Sequence, residues 1–155
     1  MMNQYDTRMT KIGFITIQIM DHEIKVLEFG EKVIPDSVYG KSESLDLAFL
    51  QLEEYFDGKR KTFSLPLNPD GTEFQKKVWK ELLKIPYGET RCYQDLAIGI
   101  GNEKASRAIG MANHNNPIAI MIPCHRVIGK NGSLVGYAGG IETKIELLEL
   151  EKKWK

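Results

Sequence analysis

The sequence has few cysteines, no long apolar run and no net charge, and these features exclude some classes of protein and make others less favoured. Two cysteines, Cys92 and Cys124, are too few for the disulfide framework of a small secreted domain. No apolar run approaches the roughly 18–20 residues that a helix needs to cross a bilayer. Residues 1–6 also lack the basic and apolar regions of a signal peptide. We therefore expect a cytoplasmic protein without a membrane partner, or a nuclear one if the source is a eukaryote.

The charge balance limits how strongly the chain is expected to bind nucleic acid. Lys and Arg together number 21, and so do Asp and Glu, so the formal net charge is zero. Phosphate contacts usually come from a basic surface, and a neutral chain therefore predicts modest affinity for DNA. A local patch or the backbone N–H groups at a helix N-terminus can still bind phosphate, so DNA binding is not excluded.

Length and composition allow one domain or two small ones. Apolar residues make up 42% of the 155 residues, which is enough to form a core. The best linker candidate is residues 66–71, Pro-Leu-Asn-Pro-Asp-Gly, because proline and glycine interrupt regular structure. We expect an N-terminal domain over residues 1–68 and a C-terminal domain over residues 69–155.

The N-terminal region predicts a small antiparallel sheet. Residues 12–19 and 24–29 combine β-branched and apolar residues on either side of the turn at Asp21 and His22, which is typical of a β-hairpin. Residues 62–66 predict a short edge strand, because the run ends in proline. The remaining segments are expected to be loose or looped: residues 1–10 and 30–43.

One helix is expected in the same region. Ser44 is a candidate N-cap, and Gly58 is suited to end the helix. Between them, four apolar residues recur at helical spacing and predict a buried face: Leu45, Phe49, Leu52 and Phe56. A small sheet with one helix against it makes this an α/β domain.

Two longer helices are expected in the C-terminal region. Thr72 and Gln75 have the spacing of a capping box, which predicts that a helix begins just after Thr72. The last helix is expected to span residues 141–154. Its inward-facing side chains are expected to be Ile145, Leu148 and Trp154.

Two shorter helices lie between these. The first opens at Thr90 or Cys92, a glycine turn follows over residues 99–101, and the second covers about residues 103–112. Together they form a helix-turn-helix pattern. The pattern alone is a weak sign of DNA binding, since many paired helices are purely structural.

The chemistry of the chain centres on Cys124 and His125, which follow Pro123 and an apolar run over residues 118–122. A free thiol is mostly protonated at neutral pH, and a nearby imidazole can take its proton and produce the nucleophilic thiolate. This pattern makes Cys124 a candidate nucleophile. For the pair taken alone, a buried and inert cysteine is the commoner explanation, because free cysteine often packs as a small hydrophobe.

Further motifs surround this pair in a fixed order. They are Gly-Thr-x-Phe-Gln at 71–75, Val-Trp at 78–79, Ile-Pro-Tyr-Gly at 85–88, Arg-Ala-Ile-Gly at 107–110, Pro-Cys-His-Arg-Val at 123–127 and Gly-Tyr-Ala-Gly-Gly at 136–140. Together they resemble the methylated-DNA–protein-cysteine methyltransferases, the O6-alkylguanine-DNA alkyltransferase family. The resemblance runs from about Gly71 to Glu151, and the N-terminal third is similar to the family only in size and pattern.

The resemblance implies a fold and a function. The N-terminal α/β domain would be ribonuclease H-like, and the mostly helical C-terminal domain would be winged-helix-like and contain the helix-turn-helix. The protein would be a monomer that binds double-stranded DNA through the minor groove and flips the damaged nucleotide out of the stack. The alkyl group of O6-alkylguanine, and less well of O4-alkylthymine, would pass irreversibly to Cys124, once per chain. Neither a cofactor nor a metal is expected.

The resemblance also implies roles around Cys124. His125 would be the base, acting through a bound water, and Glu151 the carboxylate that orients His125. Asn116 would tie the turn after the second short helix to the active-site segment. Without the resemblance, Glu151 is one of several charges at a helix end and Asn116 a turn residue before proline.

Other residues would contact the DNA and the flipped base. Tyr93 would rotate the 3′ phosphate, and Arg107 would enter the stack in place of the extruded nucleotide. Small residues on the second short helix would let it approach the minor groove: Ala105, Ala108 and Gly110. The base pocket would be formed by the Val127 carbonyl, the Tyr137 hydroxyl and the Ala138 N–H, the last facing the leaving oxygen O6. The alternatives are helix–helix packing for the small residues and a structural role for Tyr93.

Three other functions fit parts of the pattern. A non-catalytic lesion sensor of the same fold would lack the cysteine, whereas Cys124 is present. A helix-turn-helix transcription factor would bind the major groove, usually as a dimer, and its cysteine would be incidental. A cysteine hydrolase would turn over repeatedly and would need an oxyanion hole. The complete set of motifs favours the repair protein over all three.

Overall fold

The computed structural model describes residues 3–134 and 137–155. It contains two compact units, the first made of Met1–Asp70 with Pro117–Met121 and the second of Gly71–Asn116 with Ile122–Lys155. The first unit is therefore made of two separate stretches of the sequence, which a single boundary between two domains cannot describe. The boundary expected after residue 68 stays a prediction. No helix among the described residues has the length and apolar character needed to cross a membrane.

The first unit contains a four-stranded sheet in the order β3-β2-β1-β4. Its strands are β1 (Asn3–Thr10), β2 (Gly13–Met20), β3 (Glu23–Phe29) and β4 (Val38–Tyr39). The first three pair antiparallel and β4 pairs parallel with β1. Ile15, Ile17 and Ile19 recur at every second position and are buried, so one face of β2 belongs to the core.

The expectation that residues 1–10 are loose is wrong for β1. Its backbone pairs with β2 along the whole strand, and its polar side chains also have partners. The Thr7 and Thr16 hydroxyls lie 2.7 Å apart across the two strands. Arg8 Nε donates to Asp6 Oδ2 at 2.8 Å. Ladder hydrogen bonds and cross-strand pairs therefore define this strand, rather than the apolar alternation that a sequence reveals.

The expected helix is α1 (Glu43–Phe56), and its four predicted core residues are all buried. It begins after Ser42 rather than Ser44, because Ser42 Oγ accepts a hydrogen bond from Leu45 N at 3.1 Å. Ser44 Oγ instead lies 2.9 Å from His22 Nδ1. Gly58, with a φ of 76°, follows the helix in the left-handed conformation expected of a C-terminal glycine.

Two short segments of this unit differ from expectation. Residues 30–43 contain β4. Residues 62–66 form no strand, although Pro66 O accepts a hydrogen bond from Ile24 N at 2.9 Å. Ser64 instead binds a side chain, because its N–H donates to Gln51 Oε1 at 3.1 Å. Proline supplies an acceptor but no donor, so it cannot continue a ladder there.

The second unit is mostly helical. Its elements are α2 (Glu73–Leu82), β5 (Arg91–Cys92), α3 (Tyr93–Gly99), α4 (Ser106–His114), a 3₁₀ turn (Cys124–Arg126), β6 (Val127–Ile128) and α5 (Ile141–Trp154). β5 and β6 pair parallel. Within this unit Trp79 Nε1 donates to Ala112 O at 2.9 Å, which ties α2 to the last turn of α4.

Two of the predicted helices begin or pack differently. α4 begins at Ser106, because Ala105 N donates to Asn102 O at 3.1 Å and holds the preceding residues in a turn. In α5 the buried residues are Lys144, Leu147 and Glu151, whereas Trp154 is 41% exposed. The prediction that Trp154 faces inward is therefore wrong, and its ring instead lies 5.0 Å from Lys153 Nζ at the helix end.

The capping box at the start of α2 is confirmed and yields a stability prediction. Gln75 N donates to Thr72 Oγ1 at 3.1 Å, and Thr72 N donates to Gln75 Oε1 at 2.9 Å. Thr72→Ala removes the side-chain acceptor and should lower the free energy of unfolding by about 1 kcal/mol. Thr72→Ser should retain most of it. Urea unfolding of both, beside the exposed Thr62→Ala as control, measures the difference; equal values for Thr72→Ala and Thr62→Ala would contradict it.

Candidate active site

Cys124, His125 and Arg126 form a single 3₁₀ turn after Pro123, and all three are buried. The turn is closed by Arg126 N, which donates to Pro123 O at 3.0 Å. Proline restricts its own φ and needs no hydrogen-bond acceptor for its nitrogen, so it enters a tight turn without an unsatisfied donor. β6 then carries the chain away from the turn at Val127. The three side chains are thereby presented from consecutive positions.

The thiol of Cys124 is closed off from solvent and held by an amide. Asn116 Nδ2 lies 3.1 Å from Cys124 Sγ and also donates to Ile122 O at 2.9 Å. A second amide, Asn113 Nδ2, approaches Cys124 O at 3.4 Å. Burial raises the pKa of the Cys124 thiol, and the Asn116 hydrogen bond and the Lys144 charge only partly oppose this. The thiol is therefore protonated at rest and needs a base to react.

His125 is the neighbouring candidate base, and it pairs with Glu151 on α5. His125 Nε2 and Glu151 Oε2 are 2.6 Å apart, and both side chains are almost fully buried. Burial lowers the pKa of His125, although Glu151 opposes the shift. The imidazole is therefore neutral at physiological pH. Because the carboxylate can only accept, the shared proton belongs to Nε2.

The other nitrogen of His125 has no hydrogen bond within residues 3–134 and 137–155. Nδ1 is buried, and in the neutral ring that carries its proton on Nε2 it is an acceptor. A buried acceptor without a partner is rare and is often completed by a water or a reacting group. The His125 ring can therefore accept a proton at Nδ1 while Nε2 stays bound to Glu151.

Glu151 also binds a residue that sequence reasoning missed. Arg126 Nε donates to Glu151 Oε1 at 2.8 Å, and Arg126 Nη2 donates to Oε2 at 3.0 Å. Gly88 N donates to Oε1 at 3.0 Å. Burial alone would raise the pKa of Glu151, but the hydrogen bonds and charges of His125 and Arg126 lower it well below its usual range. The carboxylate is thus ionised.

Lys144 is a second buried charge, which the resemblance includes near the end of the chain but to which the sequence analysis gave no role. It is 1% exposed, and its Nζ donates to Val127 O at 2.5 Å. Burial lowers the pKa of Lys144, and the Cys124 charge opposes the shift. The only available signal was a lysine at an inward position of α5, in the heptad of Leu147 and Glu151. The Val127 carbonyl, expected to receive a guanine amine, therefore already accepts one hydrogen bond.

Tyr93 and Tyr137 both lie close enough to Cys124 for a charge on its sulfur to shift the pKa of their hydroxyls. Tyr93 opens α3 and is half-buried, and burial raises the pKa of its hydroxyl, followed by the Cys124 charge. Tyr137 is buried, and the same two causes raise its pKa well above the ordinary value. Ala138 follows in an exposed turn. Gly136, which begins the expected pocket wall, lies outside the described residues.

The small residues of α4 do not share one face. Ala105 and Ala112 are buried, whereas Arg107 and Ala108 are exposed and Gly110 is half-buried. Of the small residues expected to approach the minor groove, Ala105 therefore belongs to the core, whereas Ala108 and Gly110 are accessible. At roughly 100° per residue, Arg107 lies on the far side of the helix from Ala105 and Ala112, and Ala108 lies at the edge of the buried side.

The site offers no obvious place for a metal. Within the described parts of the chain, no cluster of three or more His, Cys, Asp or Glu side chains could hold a metal ion. The carboxylate of Glu151 is already occupied by four donors from protein groups. What the arrangement can do is remove a proton from Cys124 and hold a nucleophilic sulfur in a dry pocket.

Comparisons with known families cover nearly the whole chain. The 6-O-methylguanine DNA methyltransferase, ribonuclease-like domain, matches residues 3–69, and the DNA binding domain of the same family matches residues 73–153. The methylated-DNA–protein-cysteine methyltransferase of Methanosarcina acetivorans is 53% identical over 90% of this chain and 92% of its own length. The constitutive methyltransferase of the same name from Bacillus subtilis is 45% identical over 97% of this chain and 96% of its own.

Solved structures give the same picture. The crystal structure of Mycobacterium tuberculosis O6-methylguanine methyltransferase is similar with a TM-score of 0.90 and 43% identity, over 99% of this chain and 95% of that one. The M. tuberculosis OGT in complex with DNA is similar with a TM-score of 0.91 and 44% identity, over 97% and 94%. These likenesses confirm an N-terminal sheet-and-helix domain followed by a helical domain.

The buried charges predict how stability depends on pH. Glu151→Gln leaves Arg126 without a full counter-charge, so at pH 7 it should lower the free energy of unfolding by about 3 kcal/mol. The pKa of Glu151 is lower in the folded than in the unfolded chain, so its contribution is complete above about pH 4.3 and is lost as pH falls further. The gap between wild type and Glu151→Gln should therefore narrow between pH 5 and pH 3.

Urea unfolding at several pH values measures this gap. The control is Glu149→Gln, an exposed residue of the same helix, which should change stability by less than about 0.5 kcal/mol at each pH. A constant gap between wild type and Glu151→Gln across this pH range would contradict the prediction.

Proposed function

This chain belongs to the methylated-DNA–protein-cysteine methyltransferase family, and we propose that Cys124 is the residue to which it transfers the alkyl group. The chain is a DNA repair methyltransferase that acts on alkylated guanine. The observation that carries the assignment of Cys124 is its place in a buried turn beside His125, whose other ring nitrogen is bound to Glu151. The second cysteine, Cys92, is the N-cap of α3, where its N–H donates to Asp95 Oδ2 at 2.9 Å.

The proposed reaction is a direct displacement. Cys124 Sγ forms a bond to the alkyl carbon as the carbon–O6 bond of guanine breaks, and the electron pair of that bond stays on the guanine. The thiol proton passes through a water to His125 Nδ1. The guanine anion then takes up one proton from the protonated imidazole, which returns His125 to its neutral form and restores guanine. Burial excludes bulk water, which would otherwise compete for the nucleophile and the leaving group. The product is a thioether, which is a poor leaving group, so each chain reacts once.

The alkylated base reaches Cys124 only outside the duplex. Inside the stack, no side chain can approach the alkyl carbon in line with the bond that breaks, so the nucleotide is flipped. In the proposed pocket Tyr137 donates to the purine, the Ala138 N–H faces O6, and the backbone carbonyl of Val127 accepts the guanine amine through its second lone pair. The burial of Tyr137 and its proximity to Cys124 support this arrangement. O4-alkylthymine is the weaker substrate of the same pocket.

The DNA-binding surface proposed here is the exposed side of α4. α3 and α4 would form the helix-turn-helix of a winged-helix-like domain, with α4 in the minor groove and the ring of Tyr93 against the 3′ phosphate. Arg107 and Ala108 are exposed and Gly110 is half-buried, which supports a close approach by that side. Ala105 is buried, so in this proposal it packs against the core and touches no DNA. Arg107 fills the gap that the flipped nucleotide leaves.

The remaining parts of the proposal concern the state of the protein in the cell. We expect a monomer with a ribonuclease H-like domain over residues 1–68 and the DNA-binding and alkyl-acceptor domain over residues 69–155. The reaction balances with the thiol and the base alone, so no cofactor enters it. Matching relatives come from an archaeon and a bacterium, cells in which the chromosome lies in the cytoplasm, and we expect a cytoplasmic location here.

Intact mass tests the acceptor. Wild type mixed with a short duplex that carries one O6-methylguanine should gain one methyl group in place of a thiol hydrogen, with one equivalent per chain and on the Cys124 peptide. Cys124→Ser should gain nothing, because its hydroxyl is a far weaker nucleophile. Cys92→Ser is the matched control and should gain as wild type does. A methylated Cys92 peptide would refute the assignment, and lesion binding without any mass gain would favour a sensor.

Arg107 can be tested separately from the chemistry. Arg107→Ala should slow methyl transfer from the duplex by about 10-fold or more, because an inserted side chain offsets part of an unstacking cost of a few kcal/mol. Transfer from a free O6-alkylguanine base should stay at the wild-type rate, since a free base needs no flipping. Lys104→Ala, which removes an exposed charge just before α4, controls for general attraction to DNA. Equal loss on both substrates would contradict a flipping role.

A further inference from the structure

Arg126 is buried beside His125, the proposed base, but it takes no direct part in the proposed transfer of the proton or of the alkyl group. Its side chain is 9% exposed, and its three nitrogens all donate hydrogen bonds. Two donate to Glu151, at 2.8 and 3.0 Å, and the third donates to Ile85 O at 2.7 Å. The guanidinium thus connects the 3₁₀ turn, α5 and the chain just before the turn at Gly88. Its plane also lies 5.7 Å from the ring centre of Tyr87.

These contacts fix both oxygens of Glu151. Oε1 accepts from Arg126 Nε and from Gly88 N, and Oε2 accepts from Arg126 Nη2 and from His125 Nε2. A carboxylate held in this two-pronged way cannot rotate about its terminal bond without breaking several charge-assisted hydrogen bonds. Only one lone-pair direction of Oε2 is then left for the imidazole. The position of the ring therefore depends on Arg126 as well as on Glu151.

We propose that Arg126 is a positioning residue for alkyl transfer, because by fixing Glu151 it holds His125 with its proton on Nε2 and leaves Nδ1 to accept the proton of Cys124. This inference rests on the proposed function of His125 as the base. The proposed role also explains why Arg126 and Glu151 form a buried ion pair, which a contribution to stability alone does not explain. Buried arginine–carboxylate pairs often contribute little net stability compared with apolar residues of similar size.

The charge of Arg126 acts in the same direction as its geometry. The charged groups that act on His125 are Glu151 and Lys144 from α5 and Arg126 from the turn. Burial lowers the pKa of His125 first, Glu151 raises it, and Arg126 and Lys144 lower it again. Removing the charge of Arg126 should therefore raise the pKa of His125, so that more of the ring is protonated and unable to act as a base.

The test uses Arg126→Lys, which keeps the charge but loses the fork, and Arg126→Met, which loses both. The single-turnover rate of methyl transfer from an O6-methylguanine duplex should fall by about 100-fold in Arg126→Met, the lower end of what a general base contributes, and by less in Arg126→Lys. The acidic limb of the rate profile should move to higher pH in Arg126→Met. Affinity for the duplex should stay within about 3-fold of wild type, because Arg126 is buried away from DNA.

The matched control is Arg60→Met. Arg60 has the same kind of contacts, with Nε on Glu54 Oε1 at 3.0 Å and Nη1 on Thr62 O at 3.0 Å, but it lies in the first unit. It should change neither rate nor pH profile. Arg126 variants that are merely less stable, and whose folded molecules react at the wild-type rate with an unchanged pH profile, would overturn the inference.

A second measurement does not depend on the variants folding. The ¹⁵N chemical shifts of His125 in wild type distinguish the two neutral tautomers. Protonated Nε2 and bare Nδ1 across neutral pH are expected, and a proton on Nδ1 would overturn the inference even if Arg126→Met cannot be purified. A wild-type chain that shows the expected tautomer but transfers no methyl group would instead refute the proposed function.

Discussion

The second unit depends on the need to neutralise one buried carboxylate. Glu151 is 1% exposed, and an isolated ionised carboxylate in such surroundings would cost several kcal/mol. The cost is offset by donors from three residues at two places in the sequence: the backbone N–H of Gly88, and the His125 ring with the adjacent Arg126 guanidinium. Because all of them must reach one point, the Ile-Pro-Tyr-Gly turn, the nucleophile turn and α5 are fixed together. The position of His125, the proposed general base, is a consequence of this electrostatic requirement.

The same burial explains why a reactive cysteine can be kept safely in the unreacted protein. Burial raises the pKa of Cys124, so the resting sulfur is a thiol rather than a thiolate. A thiol enclosed in this way is protected from water-borne oxidants and from stray electrophiles. Once an alkylated nucleobase is in contact with Cys124, neutral His125 can take the thiol proton, and the Asn116 amide, 3.1 Å from the sulfur, can stabilise the thiolate. A protein that reacts once per chain loses its activity if the thiol reacts with anything else first, so keeping the thiol protonated and buried preserves its function.

The sequence predicted those features that have a local pattern and missed those that depend on distant partners. The α1 face, the capping box at Thr72 and the turn-bound Cys124-His125 pair are all visible within a few residues. β1 was missed because its polar residues are satisfied across the strand pair, which no periodicity reveals. The roles given to Glu151 and Asn116 came from family resemblance. Arg126 and Lys144 belong to the quoted family pattern but were given no role, because charged residues are normally exposed and only the folded chain shows that both are buried.

The burial pattern of α4 connects the proposed DNA surface to the nucleophile. Ala105 and Ala112 face the core, and the Ala112 carbonyl is bound by the Trp79 indole, so the inner side of the helix is anchored. Arg107 is on the outer side near the first turn, while Asn113 near the end reaches the Cys124 carbonyl at 3.4 Å. Six residues of helix separate these two, which is roughly 9 Å along the axis. The helix therefore acts as a rigid spacer between the exposed side chain proposed to contact DNA and the turn that contains the proposed nucleophile.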